Sequence, residues 1–379
     1  MPKASGSKGG KSAANSRITS KIEAMAWNGD FTQVAIGVDK SIVVYSAPKA
    51  DKKAWSKTAE MENAHGLDIS GLDWSSVTNK IVSCSHDRNA YVWTLNEDGT
   101  WKPTLAILRI SRAALCCKWS PDGHKFAVGS GSKTVPVCQF DKEQDWWNSK
   151  IINKKRGSSV QHKSSIVSVA WHPNSQFLAT ACADKKCRVY CARGAHDDEI
   201  QLGAMEDFVE DSDPDFGDAL FEFVSQGWVH DCEWSPNGKQ LAFVSHDSSV
   251  SVVNFSESSG AGDAQPLVTT IPYKGLPFTT CLFSTENQLI VAGYDFFPLR
   301  VDKDGDDWTY GKPVDEMKAK VNKKANSAMA KFQNRDNLGQ DTKVEALLTK
   351  HQAAIRCLAI NGSKLFSAGS DGRLQFWNL

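Results

Sequence analysis

Apolar and polar residues alternate along most of this chain in short runs that are separated by turn sequences. One unit recurs: an apolar run that ends in an aromatic residue, a turn, a second apolar run that leads to an Asp, and a third run. It is clearest in residues 69–74, 81–87 and 90–93. A two-residue period bounded by Ser-Pro-Asn-Gly, Ser-Pro-Asp-Gly and Asn-Gly turns predicts β-strands and not helices.

The spacing between the aromatic residue and the Asp is nearly constant, at twelve or thirteen residues in five copies. These pairs are Trp27 and Asp39, Trp74 and Asp87, Trp171 and Asp184, Trp234 and Asp247, and Phe283 and Asp295. Two further copies keep the spacing but lose a residue type, since Gly131 or Ser132 stands where Asp would follow Trp119, and Ile360 replaces the aromatic residue. A repeat of roughly 40 to 45 residues with four strands is a propeller blade. Seven copies predict an all-β, seven-bladed β-propeller.

The seven copies occupy most of the chain, so one closed domain over residues 13–379 is expected after a disordered basic tail at residues 1–12. The last copy reaches the C-terminus with only three strands. We expect residues 13–19 to supply its outer strand, which would join the two chain ends. Stacking the blades in a closed ring protects nearly every sheet edge.

Charge and composition exclude several classes of partner. The chain has 44 basic and 44 acidic residues, so no overall field favours nucleic acid or an anionic membrane. No run of 18 apolar residues predicts a membrane span, and the N-terminus lacks the apolar core of a secretory signal. A cytosolic protein is therefore expected.

The ten cysteines fit that compartment as buried thiols within strands. One cluster, Cys182, Cys187 and Cys191 with His196, lacks paired C-x-x-C spacing, so buried thiols are favoured over a zinc site. No metal or cofactor is expected.

Three copies carry a His, a Ser or Thr, an Asp and an aromatic residue in the same order. These sets are His65, Ser83, Asp87 and Trp93; His162, Thr180, Asp184 and Tyr190; and His351, Ser367, Asp371 and Trp377. Nucleophilic catalysis uses similar groups, and a hydrolase would need Ser83 or Ser367 to be exposed. The sets recur, however, whereas an active site is normally built once, and no G-x-S-x-G motif is present. We therefore expect structural hydrogen-bonded tetrads and no enzymatic activity.

Two insertions interrupt the repeats. The first, at about residues 197–221, is acidic, and a solvated loop is favoured over a dedicated binding site. The second is an arm at residues 312–349, in which a helix is predicted at about residues 315–332 because its apolar residues lie three or four apart. These are Met317, Val321, Ala325, Ala328, Met329 and Phe332. Periodicity leaves open whether the helix lies on the propeller or projects into a groove of a partner.

The repeats resemble those of WD-repeat proteins, although the expected Gly-His appears as Ala64-His65 and Trp-Asp as Trp93-Thr94. The chain is further similar to the WD-repeat subunit family of the actin-related protein 2/3 complex, from about Ile22 onward. The residues that carry this resemblance are 87–93, 100–105, 125–132, 145–147, 171–175, 227–230 and 244–248.

The resemblance implies a non-catalytic scaffold that supports nucleation of branched actin filaments in the cytoplasm and the actin cytoskeleton. It implies as partners the other subunits of the complex, the actin filament and nucleation-promoting factors. In this family the arm reaches toward actin or actin-related subunits and carries an aromatic-Gln-Asn motif, present here after Lys331. The implied partner-binding residues are Met317, Val321, Met329, Lys331, Phe332, Gln333 and Asn334. A general WD-repeat adaptor in another multiprotein complex is the alternative.

Overall fold

Strands dominate the parts of the chain that the computed structural model describes, which are residues 17–48, 55–152, 160–194, 199–258, 265–315 and 349–379. Within these ranges the chain forms 27 β-strands and one 3-10 helix. Consecutive strands pair antiparallel and form six sets of four and a final set of three. The predicted all-β propeller is confirmed.

The first four blades are built from sixteen strands, numbered from the inner to the outer strand of each blade. They are β1 (Met25–Trp27), β2 (Gln33–Val38), β3 (Ser41–Ser46) and β4 (Ser56–Met61); β5 (Ile69–Trp74), β6 (Ile81–Ser85), β7 (Ala90–Leu95) and β8 (Trp101–Ala106); β9 (Ala114–Trp119), β10 (Lys125–Ser130), β11 (Val135–Asp141) and β12 (Trp146–Ile152); and β13 (Ile166–Trp171), β14 (Phe177–Cys182), β15 (Lys186–Cys191) and β16 (Ala219–Val224).

The last three blades follow the same order, with three strands in blade 7. They are β17 (Val229–Trp234), β18 (Gln240–Ser245), β19 (Ser249–Ser258) and β20 (Pro266–Pro272); β21 (Phe278–Thr285), β22 (Gln288–Gly293), β23 (Leu299–Asp304) and β24 (Asp307–Pro313); and β25 (Ile355–Asn361), β26 (Lys364–Gly369) and β27 (Leu374–Asn378). We call the upper face the side that carries the turns between second and third strands and the connections from one blade to the next.

The core lies between blades. Seven apolar clusters each join two neighbouring blades, and the set closes on itself because Ile36 of blade 1 packs with Ala368 and Leu374 of blade 7. Burial of apolar faces between stacked sheets is the main stabilising term of such a ring. The aromatic residues used to count the repeats, such as Trp74 and Trp234, are buried in these clusters.

Each turn between the second and third strands holds one residue with a positive φ. These residues are Asp39, Arg88, Lys133, Lys185, Ser248, Phe296 and Gly372. The left-handed conformation closes tight turns but favours glycine, and glycine occupies it in blade 7 alone. The sevenfold repeat therefore extends to backbone conformation where the residue type is not repeated.

The two chain ends meet at blade 7. Arg17 forms an antiparallel bridge with Arg373, and the amide of Ile18 donates a 2.9 Å hydrogen bond to the carbonyl of Gly372. A Cβ on Gly372 would lie 1.9 Å from the carbonyl oxygen of Thr19, so this approach requires glycine. Of the expected closing strand, residues 17–19 are described. Residues 13–16 and the predicted tail lie outside the described ranges.

The acidic insertion differs from the solvated loop that was expected. Its described part, from residue 199, contains the 3-10 helix Gly203–Phe208 and runs into β16 at Ala219. Leu202 and Met205 are buried in the cluster between blades 4 and 5. Apolar side chains between the acidic residues thus anchor the insertion, while its carboxylates remain on the outside.

Candidate partner-binding surfaces

The blade 2 tetrad is brought together at the upper face. His65 lies in the connection from β4 to β5, and its Nε2 is 2.8 Å from the Ser83 hydroxyl, which also accepts a 2.8 Å hydrogen bond from the Trp93 indole. The His65 Nδ1 is 3.3 Å from a carboxylate oxygen of Asp87. The Ser83 hydroxyl donates its hydrogen bond to Nε2. The imidazole proton therefore sits on Nδ1, which donates a hydrogen bond to Asp87.

Asp87 also accepts hydrogen bonds from two backbone amides, those of Gly66 at 2.7 Å and Asn89 at 2.9 Å. Burial alone would raise the pKa of Asp87, but these amides and His65 lower it below the usual value. Burial lowers the pKa of His65. A neutral imidazole beside an ionised carboxylate ties the connection to the following turn.

Blade 7 repeats this geometry. The imidazole of His351 is 2.8 Å from the Ser367 hydroxyl and 3.1 Å from the Asp371 carboxylate, and the Trp377 indole donates to Ser367 at 2.8 Å. The amide of Gln352 donates to Asp371 at 2.8 Å. The Ser83 and Ser367 side chains are fully buried, so neither presents a hydroxyl to a substrate.

Blade 4 builds an incomplete version. His162 Nε2 is 2.9 Å from the Thr180 hydroxyl, but His162 Nδ1 and the Tyr190 hydroxyl are buried without a hydrogen-bond partner. Asp184 pairs instead with Arg188, at 2.9 Å, whose buried guanidinium also donates to a carboxylate across the sheet. Burial, and secondarily the positive charge of Arg188, lower the pKa of His162 to about 3. The structure thus brings His162 and Thr180 together, but Asp184 is diverted from the histidine.

The predicted partner-binding residues Met317, Val321, Met329, Lys331, Phe332, Gln333 and Asn334 lie outside the described residues, as does nearly all of the predicted helix. The two ends of the arm are described and converge. A carboxylate oxygen of buried Asp315 accepts a 3.2 Å hydrogen bond from the amide of Lys350. Val314 donates from its amide to Pro298, and the Lys350 ammonium lies 3.8 Å from the centroid of the Trp377 ring.

The upper face also carries an exposed aromatic cluster at the connection from β16 to β17. Trp228 is 54% exposed and stacks on the His246 ring at 5.5 Å between centroids, and His246 Nδ1 is 2.9 Å from His230 Nε2. Burial lowers the pKa of His230 to about 4, with smaller effects of His246 and Arg356. The His230 imidazole is therefore neutral at pH 7. Trp228 lies on the connection from blade 4 to the inner strand of blade 5, whereas the arm lies on the connection from blade 6 to blade 7.

The paired tryptophans of blade 3 are divided between core and surface. Trp147 is buried against Trp119 and Phe126, whereas Trp146 is 43% exposed at the rim of the ring. Next to it, Leu105 and Ile107 of blade 2 are 46% and 45% exposed. Neither residue was predicted from the sequence as part of a surface. The pattern that could have identified them is a pair of apolar residues two positions apart at the end of an outer strand, where side chains are expected to face water.

The inner strands line a central cavity of about 570 Å³. Lys118 lies 3.6 Å from Asp73, and Asp231 accepts a 2.6 Å hydrogen bond from Ser168 and one from the Cys281 amide. Burial raises the pKa of Glu233 to about 7. Since Asp231 connects blades 4, 5 and 6, these groups serve as ties between inner strands.

Three further features concern thiols, metal ligands and membrane-spanning helices. All ten cysteines are free thiols, and eight are buried. Among the described residues no three His, Cys, Asp or Glu side chains are grouped so that they could hold a metal ion; His196 lies outside them. The described part of the chain holds no helix with the length and apolarity to span a membrane.

Comparison with known proteins identifies the family. Residues 57–94, 108–137, 154–191, 218–254 and 342–378 match the family described as WD domain, G-beta repeat. The actin-related protein 2/3 complex subunit 1A-A of Xenopus laevis is 37% identical over 369 residues, 94% of each chain. Subunit 1A of Arabidopsis thaliana is 35% identical over 383 residues, 96% of this chain and 95% of that protein.

Subunit 1 of Schizosaccharomyces pombe is 33% identical over 351 residues, 87% of this chain and 89% of that protein. The similarity to these three proteins thus spans 87–96% of the chain. The chain belongs to the family of actin-related protein 2/3 complex subunit 1.

Proposed function

We propose that this chain is a non-catalytic scaffold subunit of the actin-related protein 2/3 complex and that it supports nucleation of branched actin filaments. The observation that carries the proposal is identity of 33–37% to three subunit 1 proteins over 87–96% of the chain. The buried hydroxyls of the tetrads agree with a structural role for these polar groups. The protein would act in the cytoplasm at the actin cytoskeleton, with the other subunits as its companions.

The arm is the proposed contact to actin or to the actin-related subunits. Its ends are held together by the Asp315–Lys350 hydrogen bond, and they are packed against blades 6 and 7 by Val314 and Trp377. The described chain therefore stops at residue 315 and resumes at residue 349 close to one point on the upper face. Such a root positions a helix for insertion into a groove of a partner.

Within the arm, Met317, Val321, Met329 and Phe332 are the proposed apolar anchors. They lie three, four or eight residues apart and would form one stripe of a helix. Lys331, Gln333 and Asn334 would add polar contacts at its C-terminal end, with lysines meeting an acidic surface of actin. Nucleation-promoting factors are expected to act on the assembled complex.

Replacing residues 316–348 with a short Gly-Ser linker tests the role of the arm. Because the ends are already joined by a 3.2 Å hydrogen bond, the linker has little distance to span and the body should keep its melting temperature. We expect the complex to assemble and branch nucleation, measured by fluorescence microscopy of growing filaments, to fall at least fivefold. A matched variant with Met317, Val321, Met329 and Phe332 changed to Ser should behave in the same way.

A control keeps the stripe and changes Ala319 and Ala330 to Gln, which places good helix formers on the helix face opposite the four anchors. Its branching rate should stay near that of the unmodified chain. Normal branching by the linker variant would refute the role of the arm. Failure of the unmodified chain to join the other subunits at all would refute the scaffold role itself.

A further inference from the structure

The outer strands of blades 2 and 3 meet at the rim and join the two blades into one eight-stranded sheet. Ala106 of β8 and Trp147 of β12 form a parallel bridge, and the Ser149 hydroxyl donates a 2.7 Å hydrogen bond to the carbonyl of Ile107. Among the sheets built by the described residues, this is the one that spans two blades. The two outer strands are therefore joined at this point of the rim and leave no open groove between them.

The bridge decides which side chains face outward. Ala106 and Trp147 are buried and point into the core between blades 2 and 3. Side chains alternate along a strand, so their neighbours Leu105 and Trp146 point away from that core, and Ile107 follows on the same side as Leu105. All three are between 43% and 46% exposed.

Three large apolar side chains are exposed where the two outer strands adjoin, and we call them the rim patch: Leu105, Ile107 and Trp146. Single exposed apolar residues are common, but several together are a feature of docking sites. Exposed Trp with exposed Leu and Ile also has the composition of an interface centre, where an aromatic anchor is desolvated on binding.

Charges on either side give the rim patch a direction. Exposed Glu143 and Asp145 outnumber exposed Lys142 in the turn that precedes Trp146, at one end of the patch. Exposed Arg109 follows Ile107 at the other end, and Lys150 lies further along β12, with its ammonium 5.6 Å from the centroid of the Phe216 ring. A bound segment would be oriented with its acidic end beside the basic pair.

We propose that the rim patch is a docking surface for another subunit of the complex, which contributes an apolar segment with acidic side chains at one end and basic side chains at the other. This inference rests on the proposed scaffold role, since that role supplies the partner. The mixed charges favour a protein segment over nucleic acid or an anionic lipid surface, either of which would need a basic patch.

Substitution of two apolar residues by charged ones tests the rim patch. In the full chain, Leu105→Asp with Trp146→Asp should weaken assembly with the other purified subunits at least tenfold in Kd, with the melting temperature within two degrees of the original. The matched control is Val77→Asp, at an apolar residue that is 63% exposed in a turn on the opposite face, and it should change Kd less than twofold. Arg109→Glu with Lys150→Glu should weaken assembly more at low salt than at high salt.

Hydrogen exchange identifies the occupant. The amides of residues 101–107 and 146–150 that are not slowed by strand pairing should exchange at similar rates in the isolated subunit and in the chain lacking residues 1–16, and should gain further protection only in the assembled complex. Equal protection in the isolated subunit would mean that another segment of this chain covers the patch. A dimer of the isolated subunit that Leu105→Asp with Trp146→Asp dissolves would identify a second copy.

Either of these outcomes, or assembly of the double variant with unchanged Kd, would overturn the proposal. The scaffold role is tested separately. If the rim variants assemble normally while the linker variant of the arm loses branch nucleation, the rim proposal fails and the proposed function stands.

Discussion

Arg356 donates a 3.1 Å hydrogen bond from its Nε to a carboxylate oxygen of Glu23, a residue 333 positions earlier in the chain. The Ser370 hydroxyl donates to the other carboxylate oxygen at 3.2 Å, and the Cys357 thiol to the backbone carbonyl of Glu23. Glu23 precedes β1, whereas the other residues belong to blade 7. One carboxylate thus links the first and last elements of the ring, on the inner side of the apolar cluster that they share.

Glu23→Ala and Arg356→Ala, alone and combined, measure this link. Because the two side chains are 26% and 37% exposed, solvent weakens the ion pair, and we expect a coupling free energy of only about 0.5–1 kcal/mol in a double-mutant cycle. Urea unfolding in low and high salt gives the value, and the coupling should shrink in high salt. Strictly additive effects of the two substitutions would show that the pair contributes nothing to closure.

Asp87→Ala should lower the free energy of unfolding by about 1–3 kcal/mol, because the amides of Gly66 and Asn89 and the imidazole of His65 lose their acceptor. Asp68→Ala is the control in the same connection, at an exposed carboxylate, and should change stability by no more than about 0.5 kcal/mol. Thermal and urea unfolding compare the two. An Asp87 variant as stable as the Asp68 variant would contradict the tetrad.

The repeat count was predictable because one physical requirement recurs in every blade. An inner strand must end on a large buried side chain that packs against the next blade, and Trp27, Trp74, Trp171 and Trp234 meet it at regular spacing. The polar pattern was less informative. In blade 4 the residue types His, Thr and Asp are in order, yet Asp184 forms an ion pair with Arg188 and not a hydrogen bond with the histidine. No rule of residue spacing predicts this change of partner.

Contacts between distant strands were not accessible from the sequence. The β8–β12 bridge that exposes Leu105 beside Trp146 depends on the relative tilt of two blades, which no local pattern encodes. In the acidic insertion a signal was present, since Leu202, Met205 and Phe208 lie three residues apart, but the charge pattern dominated the interpretation. The predicted site in the arm remains a prediction, because those residues lie outside the described ranges.

Met205→Ala tests whether the acidic insertion is anchored. The Met205 side chain is fully buried in the cluster between blades 4 and 5, so truncation should cost about 2–5 kcal/mol through lost burial and the cavity left behind. Glu206→Ala, at the exposed neighbouring position, should cost no more than about 0.5 kcal/mol. Limited proteolysis between residues 199 and 218 should accelerate in the Met205 variant alone. Equal stability and equal proteolysis of the two variants would mean a loosely attached loop.

His162 should make the protein less stable in mild acid. Its pKa is about 3 in the folded chain and about 6.5 when unfolded, so the unfolded state binds the proton first as the pH falls below the higher value. The neutral side chain is surrounded by Thr180, Tyr190 and Arg188, and the last would repel an imidazolium. This one group should therefore lower the free energy of unfolding by about 2 kcal/mol between roughly pH 7.5 and pH 5.

His162→Asn removes the titration and isolates its share of the pH dependence. Urea unfolding at both pH values should show the variant losing about 2 kcal/mol less than the original chain over that interval, even though its stability at neutral pH is lower. Asp184 does not mask the effect, because its pKa lies below the usual value. Burial alone would raise this pKa, but the hydrogen bond from the Lys163 amide and the charge of Arg188 outweigh burial. The carboxylate therefore stays ionised throughout the interval. An identical loss in the two proteins would place a protonated imidazole at this site in the native state and would contradict the hydrogen-bond geometry.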